Sequence, residues 1–136
     1  HDYPEKDAKA AIQLQQIFYR MTKDFIENCN TANFLTEALY HSKAASYFTI
    51  YRVQHFIFVR TLIEQAQREG DICSDMNSYE IYTTLQSILI QPIIIKNNIL
   101  QQHKNEPLMD KLKLIDVSSE SSLQKRLRVA FKGLRP

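Results

Sequence analysis

Histidines and carboxylates are the side chains best suited to metal binding or acid–base catalysis, and this sequence offers few combinations of them. Glu37 and His41 stand four residues apart, a spacing that places both on one face of a helix. A metal site needs at least three protein ligands, and a di-iron helical bundle needs two Glu-x-x-His pairs, of which the sequence has none. We therefore interpret Glu37 and His41 as a surface pair, and we expect no metal and no cofactor.

Motifs for nucleophilic catalysis and phosphate binding are also missing. The sequence lacks the Gly-x-Ser-x-Gly turn that exposes a catalytic serine, and its two glycines, Gly70 and Gly133, are too far apart to build a phosphate-binding loop. Cys29 and Cys73 are likewise distant from each other, which predicts reduced thiols rather than a disulfide framework or a zinc site. The protein is therefore not expected to be an enzyme.

The composition is typical of one folded domain spanning residues 1–136. Hydrophobic residues make up 44% of the chain and charged residues 24%, and the formal net charge is only +2, which gives no reason to expect nucleic acid over the whole surface. The longest apolar stretch, Ile88 to Ile95, is broken by Gln91 and Pro92, and it is far shorter than the roughly 20 residues of a membrane span. Without a signal peptide, we expect a cytoplasmic protein that does not contact membranes.

The scarcity of turn residues predicts an all-α fold, a helical bundle of five to six helices. Gly70 and Gly133 each follow a periodic apolar segment, so we expect both to end helices in the left-handed conformation. Ser78 is the expected N-cap of the helix that follows the loop after Gly70. The apolar periodicity predicts helices over about 7–29, 31–47, 49–69 and 78–103, a short helical turn at 108–114, and a last helix from about 119.

The predicted helix over 78–103 has a second apolar face besides its main one, and a helix with two apolar faces is covered on both sides. Pro92 lies within this helix, and a proline inside a helix bends it. The bend either lets the helix wrap around a cavity or a partner, or it is a simple kink in a well-packed helix. The last helix adds a further apolar stripe. We predict that two copies of the chain pair through the following residues: Tyr79, Thr83, Ile90, Ile94, Leu123, Leu127 and Phe131.

Two segments of the sequence carry a family likeness: LIEQAQREGDI, Leu62 to Ile72, and RLRVAFKGLRP, Arg126 to Pro136. The first is similar to the end of the seventh helix in TetR and AcrR-type transcriptional repressors, and the second resembles the final dimerisation helix of that family. The resemblance covers about residues 7–136. It implies the regulatory half of such a protein: a homodimer that binds a small apolar or aromatic effector. The family binds DNA through an amino-terminal helix-turn-helix domain, which we expect to be missing from this sequence.

A concentration of aromatic residues suggests where an effector would bind. Facing stripes with several large rings tend to leave a cavity, in which His55 and a tyrosine hydroxyl would be the polar anchors. The predicted pocket is lined by Phe18, Tyr47, Tyr51, His55, Phe58 and Ile88. The alternatives are that these rings fill an ordinary core, and that the chain is a purely structural helical dimerisation or interaction module without a ligand.

The last helix is strongly basic, with no acidic residue from Leu123 onward. Such a cluster suits contacts with phosphates or membranes, but cations near the end of a helix also complement its dipole, and we favour this second account. The basic residues are Lys125, Arg126, Arg128, Lys132 and Arg135.

Overall fold

The computed structural model describes residues 4–27 and 42–136, and within them all side chains except those of residues 42–49 and 51. All regular secondary structure in these ranges is helical, which confirms the predicted all-α bundle. No described helix has the length and the apolar composition needed to cross a membrane. The described helices are α1 (Ala10–Glu27), α2 (Ser42–Arg68), α3 (Ser78–Leu89), α4 (Gln91–Gln102), α5 (Met109–Lys113) and α6 (Glu120–Gly133).

Helix α2 is longer than the sequence pattern indicated. The predicted boundary between residues 47 and 49 is wrong, because the helix continues without interruption from Ser42 to Arg68. This stretch contains neither glycine nor proline, so no residue in it forces a helix to end. The first part of the predicted second helix lies in residues 28–41, outside the described ranges.

The two glycines end their helices differently. Gly70 has a φ of 80°, and the amides of Asp71 and Ile72 both donate to the carbonyl of Ala66, so the left-handed ending predicted for Gly70 is confirmed. Gly133 does not share this conformation, and the prediction for it is wrong. The amide of the next residue, Leu134, still donates to the carbonyl of Ala130 at 3.2 Å, so the chain remains helical through the glycine.

Helix α3 begins with a capping box centred on Asn77, one residue before the predicted cap. The side-chain oxygen of Asn77 accepts from the amide of Glu80 at 2.9 Å, and the Glu80 carboxylate accepts from the amide of Asn77 at 3.1 Å. The hydroxyl of Ser78 instead donates to Glu64 of α2 at 3.3 Å. At the start of α6 the N-cap is Ser119, whose side chain accepts from the amide of Ser122, and the helix begins where the sequence predicted.

The helix predicted over 78–103 is divided at Ile90 into α3 and α4. Pro92 has no amide hydrogen and its ring excludes the carbonyl one turn earlier, so the regular bonding pattern cannot pass through it. The amide of Ile93 donates to the carbonyl of Ile90 at 3.0 Å rather than to that of Leu89. The Leu89 carbonyl accepts instead from the guanidinium of Arg126 on α6, at 3.0 Å.

Arg126 therefore acts as a side-chain cap for the C-terminus of α3. Its other terminal nitrogen donates to Ser122 at 2.7 Å, which holds the guanidinium in position on α6. Burial lowers the pKa of this guanidinium, and the charge of Asp116 opposes that shift. A cation near a helix C-terminus is also favoured by the helix dipole.

The core is formed where α1, α2, α3 and α6 meet. Apolar side chains from all four helices are fully buried there, and each contributes about 1.5–3 kcal/mol through its removal from water. Prominent among them are Leu14, Phe18, Val59, Ile63, Ile81, Leu85, Leu89 and Leu123. A polar cluster on the surface also joins α1 to α6, where Glu120 accepts from Tyr19 at 2.7 Å and from Lys23 at 3.0 Å.

Replacing Arg126 with methionine should lower the free energy of unfolding by about 1–3 kcal/mol, because the Leu89 carbonyl at the helix break would lose its partner. The measurement is urea denaturation followed by circular dichroism. The control is Arg128→Met on the same helix, at an exposed position, where the change should stay within about 0.5 kcal/mol. Equal effects of the two substitutions would contradict the capping role of Arg126.

Candidate functional site

A chain of polar side chains crosses the interface between α2 and α3. Arg52 donates from Nε to Gln86 Oε1 at 3.1 Å, and Gln86 Nε2 donates to the hydroxyl of Tyr82 at 2.9 Å. The hydroxyl of Tyr82 lies 2.8 Å from Nδ1 of His55. Four polar groups are thus connected in a row, two from each helix, and we call them the polar chain.

Helical spacing brings these side chains together. Arg52 and His55 are three residues apart on α2, and Tyr82 and Gln86 are four apart on α3, so each pair lies on one face of its helix. Tyr82 and Gln86 are buried, with 1% and 8% of their surface exposed. Because unpaired polar groups are costly in such a place, their mutual hydrogen bonds are what allows them to be buried.

The guanidinium of Arg52 indicates where the protons of the polar chain lie. The guanidinium of Arg52 can only donate, so the Gln86 oxygen must face it, and the amide NH₂ of Gln86 then points to Tyr82. With that NH₂ as donor, the Tyr82 hydroxyl can give its own proton to Nδ1 of His55. This arrangement leaves the ring proton of a neutral His55 on Nε2.

Aromatic rings enclose the His55 end of the polar chain. Phe18 of α1 packs edge-on against both His55 and Tyr82, with ring centroids 5.9 and 6.0 Å apart. Phe56 contacts Tyr82 from the other side at 5.4 Å. Burial among these rings lowers the pKa of His55, because the apolar surroundings disfavour the protonated imidazole. The site therefore holds histidine as a neutral hydrogen-bonding group.

A small cavity adjoins the Arg52 end of the polar chain. It has a volume of about 10 Å³, enough for about one water molecule. Helix α1 supplies an apolar wall, the polar chain supplies a guanidinium and an amide, and the opposite wall is the break between α3 and α4. Its lining residues are Met21, Phe25, Arg52, Gln86, Ile90, Gln91 and Ile94.

The structure brings together part of the predicted pocket. Phe18 is fully buried and packs against His55, while Ile88 is half-buried against the same core. Phe58 is 65% exposed, so it faces solvent at the edge of His55 rather than lining an interior. The side chains of Tyr47 and Tyr51 lie outside the described residues.

Sequence reasoning missed Arg52, Tyr82 and Gln86. The sequence did carry a signal for Tyr82 and Gln86, since both stand next to core residues of α3, and a polar side chain buried there needs a hydrogen-bond partner. Their partners come from another helix, however, and the sequence alone does not show which residues of α2 face them. Among the described residues no group of three or more histidine, cysteine or carboxylate side chains could hold a metal, and Glu37 and His41 lie outside this part.

Most of the residues predicted to form a dimer interface are buried within a single chain. We expected Ile90 and Ile94 to be exposed in a monomer, but they pack in the core with 5% and 2% of their surface accessible. Ile90 lies at the break between α3 and α4 and Ile94 one turn after it, whereas the sequence pattern treated this stretch as one continuous helix. The stripe of α6 is also buried in the core, at Leu123, Leu127 and Phe131. Tyr79 is 55% exposed and Thr83 half-buried, so these two remain at the surface.

The lowered pKa of His55 predicts a specific pH dependence of stability. As the pH is lowered below about 6.5, the unfolded chain binds a proton at His55 while the folded chain does not yet bind one. The free energy of unfolding should therefore decrease as the pH decreases, until the lowered pKa of the folded state is reached. The substitution His55→Gln should remove this decrease, while His103→Gln at an exposed histidine should retain it. Urea denaturation between pH 7 and about 5 measures the difference, and identical slopes in both variants would contradict the assignment.

Comparison with known proteins gives no family for the chain. No family model, no curated protein and no solved structure matches it. The resemblance to TetR and AcrR-type repressors thus depends on the two sequence segments alone.

Proposed function

We propose that this chain is the effector-binding and dimerisation domain of a TetR-type transcriptional regulator. The two sequence segments that resemble the family support this proposal, and the all-helical bundle agrees with it. The observation that carries the effector part is the polar chain from Arg52 to His55, which adjoins a cavity with apolar walls. DNA binding would belong to a separate helix-turn-helix domain of the full-length regulator.

The chemistry of the cavity indicates which effectors it would accept. Met21, Phe25 and Ile94 offer an apolar surface, and the guanidinium of Arg52 and the amide of Gln86 lie on the same cavity. Ligand sites commonly combine such walls with a few polar groups that fix the orientation of the ligand. We expect a small aromatic or apolar molecule that carries a hydrogen-bond acceptor or a carboxylate for Arg52.

The break between α3 and α4 provides a route from binding to a structural response. Ile90, Gln91 and Ile94 form one wall of the cavity, and Ile90 is the junction between the two helices. An organic molecule is larger than the present cavity, so its binding requires this wall to move outward. A ligand that binds only the opened arrangement shifts the population towards it, and this shift is the regulatory signal that we propose.

The alternative is a structural helical module with no ligand. The small size of the cavity favours this alternative, because tight packing against Phe18 and Tyr82 explains the aromatic residues without any effector. The two functions differ in a measurable way, since only an effector domain is stabilised by small molecules.

A thermal-shift screen of small aromatic carboxylates should find compounds that raise the melting temperature of the wild-type chain. Arg52→Met should weaken such a compound by about 1–3 kcal/mol, because it removes a partly buried donor from the cavity. Arg60→Met on the same helix is the matched control, since Arg60 is exposed and pairs with Glu64, and it should leave binding unchanged. If no compound stabilises the wild type, or if both variants lose affinity for the compound equally, the proposed effector function is wrong.

The apolar stripe of the last helix, which the resemblance makes the dimerisation helix, is buried within the chain, so the proposed homodimer contact moves to an exposed apolar face on α2. Ile50, Val53, Ile57 and Phe58 are each at least half exposed, and they recur at helical spacing within three turns. The neighbouring exposed positions 54 and 61 hold glutamine and threonine, while Arg60 and Glu64 border the face and pair with each other at 2.9 Å, so the face carries no net charge. A contiguous apolar patch of this kind marks an interaction surface, and one without net charge can pair with its own copy without strong repulsion.

Placing a charge on this face should dissociate the dimer. Ile57→Glu would bury two carboxylates against each other in a two-fold interface, and the dissociation constant should rise at least about tenfold. Leu114→Glu is the control, because it adds the same charge at another exposed apolar position. Analytical ultracentrifugation at several concentrations measures both. A wild-type chain that remains monomeric at high micromolar concentration would contradict the dimer.

A further inference from the structure

A long surface groove runs between the beginning of α1 and the end of α6. Its volume is about 1020 Å³, and it shares no lining residue with the cavity beside Arg52. The α6 side of the groove spans about three helical turns, which corresponds to roughly 15 Å. The residues that line it are Lys9, Ala11, Ile12, Gln15, Gly70, Asp71, Gln124, Leu127, Arg128, Phe131, Lys132, Arg135 and Pro136.

The rim of the groove is strongly positive. Four of its residues are cations and one is an acid, Asp71, which leaves an excess of three positive charges (four minus one). The four cations are exposed, and none of them forms an ion pair with another residue of the described part. They are Lys9, Arg128, Lys132 and Arg135. Elsewhere on the described surface, lysines and arginines such as Lys23 and Arg60 do pair with carboxylates.

The floor of the groove is apolar. Leu127 and Phe131 lie one turn apart on α6 and reach this floor from the core, each with 8% of its surface exposed, and Ile12 of α1 is 43% exposed beside them. Apolar residues at this spacing form a strip along which the apolar face of another helix can lie. The groove thus combines an apolar centre with a cationic rim.

From this combination we propose that the groove binds an acidic amphipathic helix of a partner protein. The apolar face of that helix lies on Ile12, Leu127 and Phe131, and its glutamate or aspartate side chains pair with the cations of the rim. The positive rim favours a partner with negatively charged side chains. The apolar strip favours an amphipathic helix over a nucleic acid, because phosphates do not require an apolar contact surface. A small organic anion fits less well, because an open groove cannot enclose most of its surface.

The basic cluster of the last helix therefore serves two purposes. Arg126 faces the interior and caps α3, while Arg128, Lys132 and Arg135 belong to the groove. Complementing the dipole of α6, the account favoured from the sequence, does not explain why three of these cations share a groove with Lys9 of α1. The proposal is independent of effector binding, since the two sites have no residue in common.

The test uses a fluorescently labelled helical peptide with leucine at alternating third and fourth positions and glutamate at the remaining ones. A matched peptide carries lysine in place of every glutamate. Fluorescence anisotropy with the wild-type chain should show saturable binding of the acidic peptide, weakened by added salt, and none of the basic peptide. The amide signals of residues that line the groove should shift in two-dimensional NMR spectra as the acidic peptide binds.

A double variant locates the binding. Arg128→Gln with Lys132→Gln should weaken the acidic peptide about tenfold, whereas Lys104→Gln with Lys111→Gln, which removes the same charge outside the groove, should leave it nearly unchanged. Equal loss in both double variants would mean a non-specific charge effect and would overturn the proposal. So would displacement of the peptide by short duplex DNA or by a small aromatic carboxylate, or no binding at millimolar peptide.

Discussion

The missing amide hydrogen of Pro92 is the constraint on which the rest of this structure depends. It divides one long apolar segment into α3 and α4, and at this break the amide of Ile93 donates to the carbonyl of Ile90 and no longer to that of Leu89. Arg126 supplies the replacement from α6, so the break ties the last helix to the centre of the bundle. Ile90 at this break and Ile94 one turn later are buried, and both line the cavity beside Arg52. The break in the helix at Pro92 thus affects how α3, α4 and α6 pack together.

The polar chain is the second feature that distinguishes this core from an ordinary apolar one. Burying Tyr82 and Gln86 adds no stability over apolar side chains of the same size, and their hydrogen bonds at most compensate the loss of water. The benefit is specificity, since each member must face one partner on the opposite helix. Such a row also provides oriented polar groups at the edge of a cavity, which is the property that an effector site requires. This is the reason for placing the proposed function here.

The chain has surfaces of different character, and the proposals assign them different tasks. The apolar face of α2 centred on Ile57 carries no net charge, because Arg60 and Glu64 at its border pair with each other, and it therefore suits contact with a second copy. The groove between α1 and α6 has an apolar floor and a cationic rim, and it suits a partner of opposite charge. A regulatory domain with both surfaces could join dimerisation, effector binding and a further protein contact in one small bundle.

The sequence by itself determined the helical class, the stop at Gly70 and the short helix near residues 109–113, because periodicity, glycine conformation and capping act within a few residues. It also placed Phe18 and His55 in one predicted pocket, and the structure packs their rings against each other with centroids 5.9 Å apart. Tertiary structure decided what depends on the partner helix: the pairing of Tyr82 with His55, the outward position of Phe58, and the burial of Ile94. A helical wheel shows which residues share a face, but which face is covered depends on the helices that pack against it, and these come from distant parts of the chain.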